Sequence, residues 1–300
     1  MLKRVIKLRR GDTMNQDYYD PKVLRKLQLI EIGILKDFDK ICNENNLDYF
    51  LVGGSAIGAI RHKGFIPWDD DIDVGMSRED YDKFLKIVKK EYSKKYSILN
   101  NDTNNRYPAM NTRLQLKGTT YKTIDFKDIP GEFGIFLDIY SFDNIPDDDK
   151  LMKKQATKAW FYGKLMVLSG VKKPTIYYYG IKAKILHMIL FVAHYVFKIF
   201  HISTRSLYCK ARKYSTMYNN EKTSRFAFMF DPKRYTSILS KDDVYPTKRI
   251  EFEGMKVKVP NRIEVYLKKR YGDYMKLPPV DKRHNHPPDI LKFDDSKDDK

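Results

Sequence analysis

Two cysteines, Cys42 and Cys209, are all that the 300 residues contain. That is too few for a disulfide framework, and no Cys/His spacing resembles a zinc site, so both read as ordinary thiols. Met1 to Arg10 carries charge but neither an apolar core nor a small-residue cleavage site, which predicts no secretory leader and a cytoplasmic protein. Acidic residues are missing only locally: none occurs between Lys150 and Asn220. That stretch holds 14 lysines and arginines, against a net charge of +18 for the whole chain. The basicity therefore belongs largely to one segment rather than to a diffuse nucleic-acid-binding surface. Internal repeats are absent, and the one low-complexity tract is the charged tail from Asp294 to Lys300, which is expected to be disordered.

What is present is enough apolar material, 42% of the chain, for a sizeable core. Asp20-Pro21 has the form of a helix start, and Leu27, Ile30, Ile34, Phe38 and Ile41 recur at helical spacing until Asn43 to Asn46 ends the pattern. Tyr49 to Val52 reads as a short buried strand entering the turn Gly53-Gly54-Ser55, and Ala56 to Arg61 as the helix that follows. Asp71 to Val74 alternates like a strand, and Ser77 with Asp80 resembles a capping box for a helix through Lys90. Further strands are expected at 96–99, 112–116, 120–123 and 134–140, the last interrupted by Asp138. The pattern is mixed α/β. The expected organisation is a catalytic core over 1–149, a basic helical segment over 150–220 that faces membrane or acceptor, a closing segment over 221–290, and a tail over 291–300.

Alternate residues of a strand share a face, so Asp71 and Asp73 project together while Ile72 and Val74 point into the core. Adjacent carboxylates repel unless a cation lies between them, and Mg²⁺ suits this pattern, with Mn²⁺ as the alternative ion. Asp138 supplies a third ligand if its strand lies beside the first, and three such carboxylates can hold metal for phosphoryl chemistry. An acidic triplet such as Asp69 to Asp71 taken alone is a solvated turn. The glycine turn upstream changes that, because its backbone N–H groups at a helix start can receive a phosphate.

Gly54-Ser55, Asp71-Ile72-Asp73 and Asp138 resemble the motifs of the nucleotidyltransferase superfamily. The run from Gly58 to Val74, Gly-Ala-Ile-Arg-His-Lys-Gly-Phe-Ile-Pro-Trp-Asp-Asp-Asp-Ile-Asp-Val, resembles the LicD family closely. A second match lies in Phe252-Glu-Gly254, Val259-Pro260 and Tyr266 to Pro279, so the likeness spans roughly residues 22 to 286. The resemblance implies a nucleotidyltransferase fold of the α+β kind with a mixed sheet, joined to a mainly helical basic lobe. It also implies a transferase that moves phosphocholine from CDP-choline onto a cell-surface glycan or its lipid-linked precursor. Fukutin-related members of the family imply CDP-ribitol or a similar phospho-alditol donor as an alternative. The acid-free segment after Lys150 departs from the compact family pattern and leaves acceptor and membrane attachment open.

Around this centre, Gly54, Ser55, Arg61, His62 and Lys63 are candidates to hold donor phosphates, against a plain basic turn. Trp68 either walls the donor pocket or packs. Arg113, a charge within a strand, meets either a phosphate or a site carboxylate. The cluster Lys282 to His286, with Arg283 and His284, folds over the site as a positive lid or stays on the surface; two histidines without further ligands are not a zinc site. Tyr266, Leu267, Tyr271 and Tyr274 read as core. Ile185 to Phe200 is the most apolar stretch, too short to span a bilayer, and is either a buried helix or an interfacial one drawn to anionic lipid on the inner face of the cell membrane. The competing functions are a nucleotidyltransferase acting on RNA or a small molecule, and an inactive scaffold of the same fold. No RNA-binding module supports the first, and an intact acid trio, costly without a metal, argues against the second.

Overall fold

The computed structural model describes residues 19–172, 180–280, 283, 285 and 287–294, with only the backbone described at 180–184, 186 and 187. Met1 to Arg10, Lys282, His284, His286 and residues 295–300 of the tail lie outside the described residues. The fold is α+β, as the sequence implies.

Helix α1 (Pro21–Glu44) starts where Asp20 accepts from the Lys22 and Val23 N–H groups at 2.8 and 3.4 Å. Its apolar stripe, including Leu27, Ile34, Phe38 and Ile41, is buried against the sheet. Strand β1 (Phe50–Leu51) leads directly into α2 (Gly53–Arg61), so the two glycines form the first turn of the helix instead of preceding it. Strand β2 (Asp73–Ser77) begins two residues later than the alternation suggests, leaving Asp71 on the loop before it. The capping box is present at α3 (Arg78–Glu91): Ser77 Oγ accepts from the Asp80 N–H at 3.1 Å and donates to the Asp80 carboxylate at 2.9 Å. Strands β3 (Tyr96–Leu99), β4 (Thr112–Leu116) and β5 (Thr120–Lys122) fall where expected.

Strand β6 (Phe136–Ile145) runs five residues beyond its apolar sequence signal. Its first half pairs with β2 in parallel and with β4 antiparallel; its second half, Asp143 to Ile145, pairs with β7 (Arg225–Phe228), which in turn pairs with β8 (Ser237–Ser240). The order β1-β2-β6-β4-β3, with β7 and β8 continuing from β6, makes one mixed sheet. The chain after residue 220 thus returns to finish a sheet begun by the first half.

Between the halves stand α4 (Asp149–Gly170), α5 (Gly180–Ile199) and α6 (Thr204–Ser215). Asp148 caps α4 by accepting from Lys150 and Leu151 N–H groups. α5 leans on α4 through His194, whose Nδ1 lies 3.0 Å from the Leu168 carbonyl. No helix among the described residues is long and apolar enough to cross a membrane. A short α7 (Lys241–Val244), the hairpin β9 (Lys248–Phe252) and β10 (Met255–Val259), α8 (Ile263–Tyr271) and β11 (Ile290–Lys292) complete the chain, with β11 paired to β5.

Candidate active site

The parallel pairing of β2 and β6 sets Asp73 opposite Asp138, and the antiparallel pairing of β4 and β6 sets Arg113 opposite the same Asp138. Asp71 joins from the loop before β2, where the Asp138 N–H donates to the Ile72 carbonyl at 2.9 Å and carries the pairing past the end of the strand. One carboxylate oxygen from each of Asp71, Asp73 and Asp138 falls within 4.8 Å of the others. Asp71 and Asp73 keep partial access to solvent while Asp138 is buried.

Burial raises the pKa of all three acids. The next cause is the neighbouring charge for two of them: Asp73 acts on Asp71, and Asp138 acts on Asp73. For Asp138 the rise is opposed by Arg113 and by Asn111, whose Nδ2 donates to Asp138 Oδ1 at 2.7 Å. Arg113 Nε reaches that same oxygen at 3.3 Å, and its guanidinium lies 3.7 Å from the centre of the Phe136 ring. Both contacts fall on Oδ1, which leaves Oδ2 for the cleft. Asp73 Oδ1 is buried and makes no hydrogen bond. Converging carboxylates, one with an orphaned oxygen, fit a hard divalent cation, since oxygen ligands of this kind are what such ions take.

The glycine turn is built around these acids. Gly53 has φ +60°, and a Cβ there would stand 2.5 Å from Asp73 Oδ2; one on Gly54 would stand 2.5 Å from Asp69 Oδ2. Ser55 Oγ, buried, accepts from the Asp73 N–H at 2.9 Å, and the Tyr266 hydroxyl accepts from the Gly53 N–H at 3.0 Å. Ser55 therefore fixes the backbone of the acid strand. Tyr266 and Leu267 are buried as expected of core residues, whereas Tyr271 is exposed and Tyr274 only half-buried; the Tyr266 hydroxyl nonetheless reaches the site.

The supporting residues separate into two groups. Arg61 donates to the Tyr274 carbonyl at 2.8 Å and to His62 Nε2 at 2.9 Å; burial and then Arg61 lower the His62 pKa. Arg283 stacks on Trp68, with its guanidinium 4.6 Å from the ring, and its charge acts on Arg61. The C-terminal segment thus returns to the Arg61 and Trp68 side of the site. Lys63, in contrast, is exposed, with its ammonium 3.9 Å from Glu251 of the β9–β10 hairpin.

Several residues at the site gave no sequence signal of their own, and Asp70 entered only as part of the acidic triplet. Tyr140, next strand position but one after Asp138, lies on the same face as Asp73 across the β2–β6 pair, and burial and then the Asp73 charge push its pKa well up. Asp70 is buried and accepts from the Tyr19 and Tyr121 hydroxyls at 2.9 and 3.1 Å. Glu31 of α1 is fully buried, neither of its oxygens makes a hydrogen bond, and its pKa is pushed well up by burial and then by Asp70 and Asp69. In the sequence it is an ordinary polar residue between Ile30 and Ile32. A cavity of about 510 Å³ adjoins Gly53 and Asp73, and its far walls come from α4, α8 and the end of β7.

Comparison with known proteins gives concordant matches. Residues 46–165 match the family model described as LicD/FKTN/FKRP, nucleotidyltransferase domain. The chain is 31% identical over 276 residues, 88% of its own length and 95% of the relative's, to the lipopolysaccharide cholinephosphotransferase LicD of Haemophilus influenzae. A shorter match, 37% identity over 59 residues, covers 20% of this chain and 10% of the human and mouse ribitol 5-phosphate transferase FKRP.

Proposed function

The chain belongs to the LicD family, and we propose that it transfers phosphocholine from CDP-choline to a hydroxyl of a cell-surface glycan or of its lipid-linked precursor. The observation that carries this reading is the junction of Asp71, Asp73 and Asp138 with the glycine-initiated α2, beside a cavity large enough for a nucleotide-linked donor. The near full-length likeness to a cholinephosphotransferase favours phosphocholine over ribitol phosphate, for which the likeness covers 59 residues.

In the reaction, the acceptor oxygen forms a bond to the phosphorus that bears choline, the bond from that phosphorus to CMP breaks, and CMP leaves with the electron pair. A divalent cation, Mg²⁺ in this proposal, held by Asp71, Asp73 and Asp138 would neutralise charge on the phosphate oxygens. The first turn of α2 offers backbone N–H groups to a phosphate, and Ser55 and Tyr266 hold that turn against Asp73. Asn111 and Arg113 orient Asp138 and keep its other oxygen toward the cleft, where it can also take the acceptor proton. Arg61 and Arg283, beside Trp68, supply positive charge for the donor. The domain reading that goes with this is a core over 1–149, a basic segment over 150–220 and a closing segment over 221–290.

The same reading extends to a membrane-borne acceptor. α5 and its end expose Met188, Ile189, Val192, Ile199 and Phe200, the last two 71% exposed, and Lys172 and Lys198 sit over its Tyr195 ring. An apolar face flanked by lysines, in a segment without acids, is complementary to anionic headgroups, and peripheral attachment to the inner face of the cell membrane follows.

The test is a screen of CDP-choline, CDP-ribitol, CDP-glycerol and CTP for Mg²⁺-dependent protection against thermal unfolding, followed by release of CMP. CDP-choline is expected to protect most. Protection by CTP alone, with pyrophosphate as product, would move the chain to nucleotidyl transfer.

A further inference from the structure

The cavity beside Asp73 is walled in part by aromatic rings. Tyr140 and Phe142 of β6, Phe228 of β7 and Phe230 just beyond it line one side. Tyr140 and Phe228 meet edge to face at 4.9 Å, and Phe228 and Phe230 do so at 5.4 Å, so successive rings present faces in different directions. The charged groups that also line the cavity largely cancel. Arg270 forms a two-pronged pair with Asp231, each contact 3.1 Å, and Lys164 is a cation whose charge burial disfavours.

A quaternary ammonium has no N–H to donate. Ring faces and nearby negative charge can recognise it, and hydrogen-bond acceptors cannot do so in the ordinary way. We propose that the Tyr140–Phe228–Phe230 side of this cavity takes the trimethylammonium group of the donor. The proposal rests on the phosphocholine reading and adds the residues that select choline.

Tether length decides which part of the donor reaches these rings. In phosphocholine the nitrogen is four bonds from phosphorus, at most about 5 Å at ordinary single-bond lengths. Cytosine is separated from the same phosphorus by a second phosphate and a ribose, and so lies farther away. Tyr140 and Asp73 line the cavity together, on one face of the paired strands β2 and β6, and Phe228 touches Tyr140. With the attacked phosphorus at the acid trio, the choline head is the donor group that falls among them.

The experiment is titration calorimetry without acceptor, in Mg²⁺, with three probes: CDP-choline, CMP, and the CDP ester of 3,3-dimethylbutanol, which replaces the ammonium nitrogen by carbon. Wild-type protein should bind CDP-choline about tenfold more tightly than the uncharged isostere. Phe230→Leu and Phe228→Leu keep apolar bulk and remove a ring; each should erase most of that preference and leave CMP affinity unchanged, which also shows that the variant is folded. Phe230→Tyr should keep the preference. If the leucine variants weaken CMP as much as CDP-choline, the rings hold the base and the proposal is overturned. Full retention of the preference in both variants overturns it too, while leaving the phosphocholine reading in place. A wild-type protein that binds CDP-choline no better than CMP removes the phosphocholine reading and this pocket together.

Discussion

Gly53→Ala tests whether the glycine turn exists to clear space for Asp73. Two costs are expected. A residue with a Cβ at φ +60° loses about 1 kcal/mol to backbone strain. The new Cβ would also stand 2.5 Å from Asp73 Oδ2, inside any contact that real Cβ atoms make, so the carboxylate must swing away. A misplacement of about an ångström at a reacting centre costs on the order of 100-fold in rate. Gly254, in the turn between β9 and β10, separates the two effects: its φ is +74° and a Cβ there meets nothing within 4 Å. Both alanine variants should lower Tm by about 1–2 °C in scanning calorimetry, as about 1 kcal/mol does for a chain of 300 residues. Only Gly53→Ala should lose turnover of the donor. If its kcat stays within about threefold of Gly254→Ala, the acids are not positioned by the clearance at Gly53, and the reasoning fails.

Asp71→Asn and Asp73→Asn should each abolish turnover with unchanged or higher Tm in metal-free buffer, since each removes ligand charge and relieves repulsion; activity within about tenfold of wild type, roughly 1.4 kcal/mol of barrier, would refute the metal assignment. Glu31 binds its proton more tightly in the folded chain than at the ordinary value of 4.5, so wild-type stability falls as pH rises above about 4.5 toward the folded value. Glu31→Gln cannot titrate. Urea unfolding in metal-free buffer should therefore show the variant gaining on wild type from pH 5 to 8, and a pH-independent difference would show that Glu31 is not a buried neutral acid. The protein should float with anionic liposomes at low salt, release partly at high salt and ignore neutral vesicles, with Lys198→Glu weakening flotation while donor turnover persists; equal binding to both vesicle types would return α5 to a packing role.

The local features were legible because each depends on few neighbours. Asp20-Pro21, the Ser77–Asp80 box and the 3.6-residue stripe of α1 all act within a turn or two of chain, where sequence spacing and spatial spacing coincide. The acid pair was legible for a chemical reason: Asp71 and Asp73, two residues apart, are unfavourable together without a cation, so the pattern itself implied a ligand, although Asp71 lies on the loop before β2. Boundaries were less so. β2 starts at Asp73, and β6 continues to Ile145 because β7, some eighty residues later, supplies hydrogen-bond partners that no local pattern announces.

Which residues meet at the site was a matter of register and return. Arg113 could have met a phosphate or a carboxylate; the β4–β6 register puts it opposite Asp138. Lys63 belongs to the motif run yet pairs toward Glu251, because the chain after α2 turns to the β9–β10 hairpin. Glu31, Asn111, Tyr140 and the rings of Phe228 and Phe230 look ordinary in one dimension, and acquire their chemistry from burial or from what lies across the cleft. The sequence by itself determined the candidates: three carboxylates, a glycine turn, and one basic segment without acids. The tertiary structure alone decided the company those groups keep, because a desolvated charge or an aromatic wall is a property of neighbours brought together by long-range pairing rather than of position in the chain.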